Sequence, residues 1–506
     1  MNPKNMIVFV SDEHSRRYAG CYGDPIAKTP NIDRLAETGT RFTQAYTPSP
    51  TCVSARASLA TGKWVHQTGC YSSVEAYDGS IPSWGHNLMG KGHQVVSFGK
   101  IAYQQSSPNN GFSREFLPIH NMNGLGWMGG LLRDPVYIPK DSVEGPEFAR
   151  HIGPGESDYT KYDRVVSNTA CAWLHHHGKK QDQPWVMFVS FISPHYPLIA
   201  PQEFYDLYDD ESVGLPHRQD ALPDHPVLQE HRRFFNFNDF IDEDLTRKAR
   251  RSYYALCSFS DYLIGQVLST MNAQGLSDDT RILYTSDHGE MLGNQGVWTK
   301  MLMSEDAVAI PMILSGEGVP RGHVVDTPVS LVDCYPTIIE NAGVELTKEE
   351  QTFPGASLFS IADGETPMRW IISEYHDGGM STGLFMLRKD QWKYIYYPGF
   401  RPQLFNLAND PMEDTDLATD LAYESVLDEC DAALREILDP DAINKEVFAK
   451  QAKIIEANGG YDHVASMEES NMFIELGALY VNAEELRTPA EVNVRAGHNT
   501  SRNVSA

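Results

Sequence analysis

Short apolar segments alternate with longer amphipathic segments along most of this chain, and that alternation constrains the fold more than any other feature. The apolar segments have the length and hydrophobic pattern of buried strands, and they lie at residues 6–10, 94–98, 185–191, 281–285 and 312–314. The amphipathic segments have helical periodicity, with clear examples at residues 31–39, 161–177 and 245–274. Because parallel strands are joined by long crossovers, usually helices, this order predicts an α/β fold with a large, mostly parallel sheet sandwiched by helices.

The periodicity changes after residue 362. Residues 369–376 and 385–397 are typical of antiparallel strands, the second with a turn near 389–391, and helical sequence runs from 418 to 457. We therefore predict an α/β catalytic domain at 1–362, a smaller C-terminal α+β domain at 363–460, and a tail at 461–506. Residues 102–154 are rich in Gly, Pro and Asn, which predicts an irregular insertion near a site.

Charge and hydropathy exclude several classes of partner. The chain has 506 residues, of which 41% are hydrophobic, but no apolar run is long enough to span a membrane. Its 68 acidic and 41 basic side chains give a formal net charge of -27, which repels nucleic acid and anionic membrane surfaces. We expect no nucleic-acid and no membrane partner. An anionic substrate would need a pocket that concentrates positive charge.

The cysteines and the amino-terminal residues indicate the cellular compartment. Seven cysteines are scattered along the chain without a Cys-x-x-Cys pair, which argues against a disulfide framework and against a zinc site. The first predicted strand begins near residue 6, which leaves no room for a secretory leader. We therefore expect a cytoplasmic protein.

Cys52 lies where a turn of small residues enters a helix that is predicted to start around Arg56. A thiol at a helix start feels the positive end of the helix dipole, and Arg56, four positions on, can stabilise an anion there. Cys52 is therefore a candidate nucleophile. A buried structural cysteine is the alternative, and this segment alone leaves both interpretations open.

Two predicted strands end in polar residues. Asp12 and Glu13 follow the first strand, and Asp287 and His288 follow another. The carboxyl ends of parallel strands are where an open α/β sheet builds its site, and this set of oxygen and nitrogen ligands suits calcium, magnesium or manganese. A single acid after a strand is usually a helix cap or a solvated charge. Two such strand ends in one chain favour a metal site.

The motif Cys-x-Ser-x-Arg, followed by Leu-x-Thr-Gly-Lys, at residues 52–63 resembles the signature of the type I sulfatases in the alkaline phosphatase superfamily. In that family the cysteine is oxidised to formylglycine by a formylglycine-generating enzyme. The hydrated aldehyde carries two hydroxyls, of which one attacks sulfur and the other later expels sulfate. The resemblance implies the same maturation of Cys52, although Ser54 stands where the family usually has Pro or Ala.

The resemblance covers roughly residues 5–417 and implies the alkaline phosphatase-like fold. By this resemblance one divalent ion, calcium or manganese with magnesium also possible, would be held by Asp12, Glu13, the formylglycine made from Cys52, Asp287 and His288. Glu13 replaces the more usual Asp or Gln, and its extra methylene could shift the coordination.

Lys100 lies in a segment similar to the Gly-Lys-x-His stretch of the family, with one loss. The resemblance implies that Lys100 and Arg56 stabilise an alkoxide on residue 52. Ala102 stands where a histidine usually helps to deprotonate the second hydroxyl, and a methyl group cannot accept that proton. Either His288, water or Tyr103 takes this role, or release of the covalent intermediate is slow.

His195 follows a predicted strand and lies between two prolines, which restrict the backbone and can pre-organise its imidazole. The resemblance implies that His195 and Lys300 bind the substrate and that His195 assists departure of the leaving group. Without the resemblance, an ordinary polar histidine and a surface lysine would be the expected interpretations. The triple histidine at 175–177 is expected to be a solvated helix end.

The principal hypothesis is a sulfuric ester hydrolase that cleaves a small aryl or alkyl sulfate. Residues 80–86 look like choline sulfatases and phosphonate monoester hydrolases, so a phosphonate monoester or phosphodiester hydrolase, or promiscuity toward such esters, is the alternative. A catalytically silent relative is a third possibility, supported by Ser54, Glu13 and Ala102. The expected partners are a small sulfate ester, the maturation enzyme and further copies of the chain in a homo-oligomer.

Overall fold

The structure is a computed structural model that describes residues 2–104, 109–121, 126–133, 144–217, 225–367 and 369–466. In chain order the strands are β1 (Asn5–Ser11), β2 (Gly39–Phe42), β3 (Ala45–Tyr46), β4 (Val95–Gln104), β5 (Arg114–Asn121), β6 (Ile152–Pro154), β7 (Val186–Phe191), β8 (Leu198–Ala200), β9 (Thr280–Thr285), β10 (Ala309–Ile310), β11 (Met312–Ser315), β12 (His323–Val325), β13 (Val329–Ser330), β14 (Ile371–Tyr375), β15 (Leu384–Lys389), β16 (Trp392–Tyr396) and β17 (Gln403–Asn406).

The helices are α1 (Pro30–Thr38), α2 (Cys52–Thr61), α3 (Val65–Thr68), α4 (Trp84–Gly90), α5 (Glu144–Arg150), α6 (Asp158–His177), α7 (Gln202–Tyr205), α8 (Asp210–Val213), α9 (Pro226–Phe235), α10 (Glu243–Ala273), α11 (Glu305–Val308), α12 (Cys334–Asn341), α13 (Leu358–Ala362), α14 (Glu424–Ile437), α15 (Pro440–Ala457) and α16 (Tyr461–Ser466). Among the residues described, none of these helices combines the length and the apolar character that crossing a bilayer requires.

The largest sheet has eight strands in the order β12-β2-β11-β9-β1-β7-β4-β5. The strands from β9 to β5 pair in parallel, and β11 alone runs antiparallel to both of its neighbours. The prediction of a large, mostly parallel sheet is therefore confirmed. Strands β4, β7, β1 and β9, which carry or precede the predicted site residues, are neighbours within this sheet.

Helices cover both faces of this sheet. Ile7 and Phe9 of β1 belong to the core that includes α1, α6 and α10, whereas Met6, Val8 and Val10 belong to the core that includes α2, α4, α12 and α13. This split follows from strand geometry, since successive side chains of a strand point to opposite faces of the sheet. Burial on both faces explains why β1 is a continuous apolar run.

The C-terminal domain is built on a four-stranded antiparallel sheet, β14-β15-β16-β17, with Asp390 at positive φ in the turn between β15 and β16. The helical sequence predicted at 418–457 forms two helices, α14 and α15. Pro440 is the first residue of α15 and the Asp439 side chain caps it, and a proline favours a helix start over a helix interior.

The prediction of an irregular insertion at 102–154 is wrong in part. β5 pairs in parallel with β4 and forms the edge of the large sheet, and α5 and β6 follow it. Pro118 within β5 weakened the strand pattern, and it is tolerated because an edge strand has one side free of pairing. Of the predicted tail, 461–466 form α16, and 467–506 lie outside the described residues.

Candidate active site

Four neighbouring strands bring the predicted residues to one edge of the sheet. Asp12 follows β1, Asp287 follows β9, His195 lies beyond β7, and Lys100 lies within β4. Just before Lys100, Gly99 adopts a φ of 94°, and a Cβ there would lie 2.1 Å from the Ser190 carbonyl oxygen of β7. Glycine therefore permits the close approach of β4 and β7 that places Lys100 over the strand ends.

Cys52 is the first residue of α2, so the expectation of a helix starting around Arg56 is wrong by one turn. This start puts Cys52 and Arg56 on the same helix face. The Cys52 Sγ lies 3.0 Å from His288 Nε2, 3.6 Å from Asp12 Oδ1 and 3.6 Å from Lys100 Nζ. The thiol, an acid, an imidazole and an ammonium group therefore meet at the helix start.

Arg56 contacts residues of all four strands or of the turns that follow them. Its Nη2 lies 2.9 Å from Asp12 Oδ2 and its Nε 2.8 Å from Asp287 Oδ2, while Nη1 donates to the Lys100 carbonyl and to Ser190 Oγ. The guanidinium is 2% exposed and both carboxylates are fully buried. Such a fixed fork holds two carboxylates at a defined separation.

The two aspartates turn their second oxygens toward Cys52. Lys100 Nζ lies 2.6 Å from Asp12 Oδ2, so the cations occupy the Oδ2 atoms. Asp12 Oδ1 and Asp287 Oδ1 each lie 3.9 Å from His288 Nε2. Asp12, Cys52, Asp287 and His288 thus offer ligand atoms that all lie within 4.8 Å of one another. Carboxylate and imidazole donors at this spacing fit a divalent cation such as manganese, magnesium or calcium.

The His288 ring is oriented for ligation. Its Nδ1 lies 3.0 Å from the Gly289 carbonyl oxygen, which can only accept, so Nδ1 carries the hydrogen and Nε2 presents a lone pair to Cys52 and the aspartates. A backbone acceptor of this kind is the usual partner that fixes the tautomer of a ligating histidine.

Glu13 is separated from that four-residue group. Its backbone N–H donates to Asp287 Oδ1, but its side chain faces the other way, with Oε2 2.8 Å from Lys300 Nζ and 3.1 Å from His195 Nε2. Glu13 groups instead with Asp12 and His195. Its φ of 66°, rare for a residue with a side chain, turns the carboxylate away from Asp287.

His195 and Lys300 face each other beside Glu13. Lys300 Nζ lies 2.6 Å from His195 Nε2, and His195 Nδ1 donates to the carbonyl oxygen of Tyr196 at 2.6 Å. His195 Nε2 is therefore an acceptor here and Lys300 holds the proton. Burial and the neighbouring charge of Lys300 lower the pKa of His195 well below its usual value.

The surroundings shift the pKa values of the central groups in opposite directions. Burial and the charge of Asp12 raise the pKa of the Cys52 thiol to about 12, so an unmodified thiol stays protonated at neutral pH. Burial alone would raise the pKa of Asp12, but the charges of Lys100 and Arg56 outweigh it and hold that pKa well below its usual value. Asp12 therefore stays ionised, whereas the Cys52 thiol stays neutral.

Ala102 lies buried at a φ of 58°, and its methyl group supplies no proton acceptor. Tyr103 packs its ring edge-on against Tyr77, with centroids 4.8 Å apart. Of the named alternatives, His288 places its Nε2 3.0 Å from Cys52 Sγ.

Several supporting residues escaped the sequence analysis. Asp163 on α6 accepts from the backbone N–H groups of Ile192 and Ser193 and so fixes the turn that carries His195. Glu290 accepts from the backbone N–H of Thr299, next to Lys300. The available signal for Asp163 was a carboxylate on the buried face of an amphipathic helix, on the same face as Tyr159 and Val166.

Comparison with known proteins agrees with this arrangement. A family model described as Sulfatase matches residues 4–344, and a second, described as N-sulphoglucosamine sulphohydrolase, C-terminal, matches residues 293–439. The chain is 29% identical to the choline-sulfatase of Rhizobium meliloti (strain 1021), over 93% of this chain and 95% of that protein. It is 27% identical to arylsulfatase K of Danio rerio, over 88% and 85% of the two chains.

Solved structures share the fold. The phosphonate monoester hydrolase of Agrobacterium radiobacter superposes with a TM-score of 0.69 at 23% identity, over 86% of this chain and 95% of that chain. The phosphonate monoester hydrolase of Silicibacter pomeroyi gives a TM-score of 0.69 at 22% identity, over 86% and 94%. The sheet and the second domain together show a fold of the alkaline phosphatase-like class. Within that class the chain belongs to the sulfatase family, whose members hydrolyse sulfate esters.

Proposed function

We propose that this sulfatase cleaves a small alkyl or aryl sulfate through a formylglycine made from Cys52, with one divalent ion held by Asp12, Asp287, His288 and residue 52. The observation that carries the proposal is the convergence of these ligand atoms within 4.8 Å, at the start of α2 and against two buried cations. The relatives named choline-sulfatase and arylsulfatase K support an alkyl or an aryl leaving group.

The chain's own residues divide the work. A divalent ion bound there would act as a Lewis acid and lower the pKa of a hydroxyl on residue 52. Lys100 and Arg56 place positive charge beside residue 52, which favours an oxyanion on it. His288 Nε2 lies 3.0 Å from Cys52 Sγ on the same side, where it would hold the ion.

The leaving-group side belongs to His195 and Lys300. Lys300 carries a proton 2.6 Å from His195 Nε2, and its charge is balanced by Glu13. In this proposal Lys300 binds a non-bridging oxygen of the ester, and the His195–Lys300 pair delivers a proton to the departing oxygen. General acid assistance of this kind contributes on the order of a hundredfold or more to the rate.

Two measurements test maturation and its necessity. Mass spectrometry of the peptide that contains Cys52 should show a CHO group in place of CH2SH. Cys52→Ala should abolish turnover, while Cys171→Ala, which removes a half-buried thiol on α6, should leave it intact. An unmodified Cys52 in fully active protein would refute the formylglycine mechanism.

A substrate panel tests the chemistry of the ester. Choline sulfate and nitrophenyl sulfate should exceed phenylphosphonate and a phosphodiester analogue in kcat/KM on metal-loaded, matured protein. If both sulfates are by far the poorest substrates, the phosphonate monoester or phosphodiester hydrolase replaces the proposal. If no ester is cleaved, the interpretation as a catalytically silent relative replaces the proposal. The maturation enzyme, the homo-oligomer and the cytoplasmic location stay predictions.

A further inference from the structure

A second cleft, of about 840 Å³, lies between the catalytic domain and the turn that joins β15 to β16. We call it the basic cleft. Its basic lining residues are Arg16, Arg17, Arg41, Arg369, Arg388 and Lys389. Three carboxylates, Glu305, Asp326 and Asp390, also line it, so cations exceed anions by three in a chain whose net charge is -27. It shares no lining residue with the candidate active site.

Half of these cations are neutralised by carboxylates. Arg16 pairs with Glu305, Arg17 with Asp306 and Arg369 with Asp333. The other half, Arg41, Arg388 and Lys389, have no carboxylate oxygen within 4.0 Å among the residues described. These three converge from both domains, since Arg41 lies on β2 and the other two lie at the end of β15.

Arg388 shows the imbalance most clearly. Its side chain is buried and donates to the Tyr46 hydroxyl, to the Gln44 side-chain oxygen and to backbone carbonyl oxygens, all of them uncharged. Glu305 lies nearby, but its carboxylate already binds Arg16 and Lys393. A buried cation with only neutral acceptors is costly, and a bound anion would offset that cost.

Arg41 and Lys389 are poised to donate into the same space. Arg41 Nε is buried without an acceptor, while its guanidinium lies over the Tyr22 ring at 5.4 Å. Lys389 Nζ lies over the Trp370 ring, 4.7 Å from its centroid. Aromatic faces hold both cations in place without neutralising them.

We propose that the basic cleft is a second binding site, separate from the catalytic one, for a tetrahedral oxyanion: a sulfate or phosphate group bound by Arg41, Arg388 and Lys389. Guanidinium forks and an ammonium group suit the oxygens of such an anion. The cleft is far larger than a single tetrahedral ion, so it also has room for a neutral body that carries the group. This proposal does not depend on the catalytic mechanism.

Equilibrium dialysis with radiolabelled inorganic sulfate, on full-length Cys52→Ala protein at constant ionic strength, tests the proposal. A second background carries Arg41→Gln and Lys389→Gln, which spare the buried Arg388. We expect the cleft affinity to fall about tenfold for each cation removed, whereas any sulfate held by the active site is retained. Arg34→Gln with Lys91→Gln, two exposed cations elsewhere, is the matched control and should bind as the parent does.

Equal binding by all three proteins, or no saturable binding by the parent, overturns the proposal. In the Cys52→Ala parent, inorganic phosphate and glucose 6-sulfate are used as competitors of the radiolabelled sulfate. Displacement by glucose 6-sulfate assigns the cleft to an ester-linked group, and displacement by the inorganic ions alone assigns it to a free ion.

Crystals of the unmutated chain soaked in selenate give an independent measurement. An anomalous peak between Arg41 and Arg388 is expected, and its absence at saturating selenate refutes the site.

Discussion

Removing Arg56 tests whether the two central aspartates form the site we describe. In Arg56→Met, Asp12 keeps Lys100 at 2.6 Å, but Asp287 loses its only cation within 4.0 Å among the residues described. Removing one partner of a buried ion pair costs roughly 3–5 kcal/mol. Because Lys100 still neutralises Asp12, we expect a single loss of about this size, and not twice as much, in the free energy of unfolding of metal-free protein.

The matched control is Arg281→Met, another buried arginine. Arg281 is 1% exposed, and its acceptors are two backbone carbonyl oxygens and the side-chain oxygen of Asn341, all uncharged. Its loss leaves no unpaired charge, so it should cost about 1–3 kcal/mol. Urea unfolding followed by circular dichroism measures both variants, with chelator and with saturating Mn²⁺ or Ca²⁺.

The metal provides the discriminating comparison. A divalent ion held by Asp12 and Asp287 would supply positive charge to the carboxylate that Arg56→Met leaves unpaired, so the cost of that substitution should shrink when metal is added. The cost of Arg281→Met should not change. If Arg56→Met is no worse than Arg281→Met, or if added metal leaves its cost unchanged, the arrangement of cations and ligands described above is incorrect.

Four further outcomes follow from the structure. Burial would raise the pKa of Glu374, but the charge of His66 holds that pKa at about 2. The Glu374 carboxylate therefore contributes stability that is present above about pH 4.5 and is lost as the pH falls toward 2. The shift corresponds to about 3 kcal/mol, and Glu374→Gln should flatten urea-derived stability across that window; an unchanged slope would contradict the assignment. Glu13→Gln should keep its metal, measured by mass spectrometry of the digested protein, while kcat falls about tenfold because Lys300 loses its anionic partner; loss of the metal would instead make Glu13 a ligand. Asp163→Asn should lower kcat/KM about tenfold or more at unchanged metal content, because an amide offers one acceptor for two backbone N–H groups, and full activity would show that the turn does not need it. Chelation should raise KM for a sulfate ester as well as lower kcat, and re-addition of metal should restore both; an unchanged KM in residual activity would separate the ion from substrate binding.

The order of strands and helices was predictable because burial on two faces leaves a continuous apolar run, as in β1 and β7. Pro118 concealed β5, since sequence alone does not reveal that a strand lies at an edge. Asp12, Asp287 and His288 were predictable as one group because they follow strands, and the carboxyl ends of parallel strands meet at one edge of the sheet. Cys52 joined that group only through the resemblance to the sulfatases.

The direction of a side chain at a strand end was not predictable. Asp12 and Glu13 are adjacent, and the sequence placed both in one ligand set. Because Glu13 has a φ of 66°, its carboxylate points toward Lys300 while its backbone N–H stays on Asp287. Asp163 was missed for a related reason. The backbone N–H groups that donate to its carboxylate lie 29 and 30 residues away, on a turn whose path only the fold defines.

The charge balance of the site explains how so acidic a chain can attract an anionic ester. Three cations, Arg56, Lys100 and Lys300, face three carboxylates, those of Asp12, Asp287 and Glu13, so the side chains sum to zero. Burial raises the pKa of Glu13 well above its usual value, and protonation of Glu13 would bring the sum only to plus one. His195 adds no charge, because burial and Lys300 lower its pKa. A divalent ion is then the largest positive charge that the site can hold, so the same ligands that would activate residue 52 would also create the attraction for substrate.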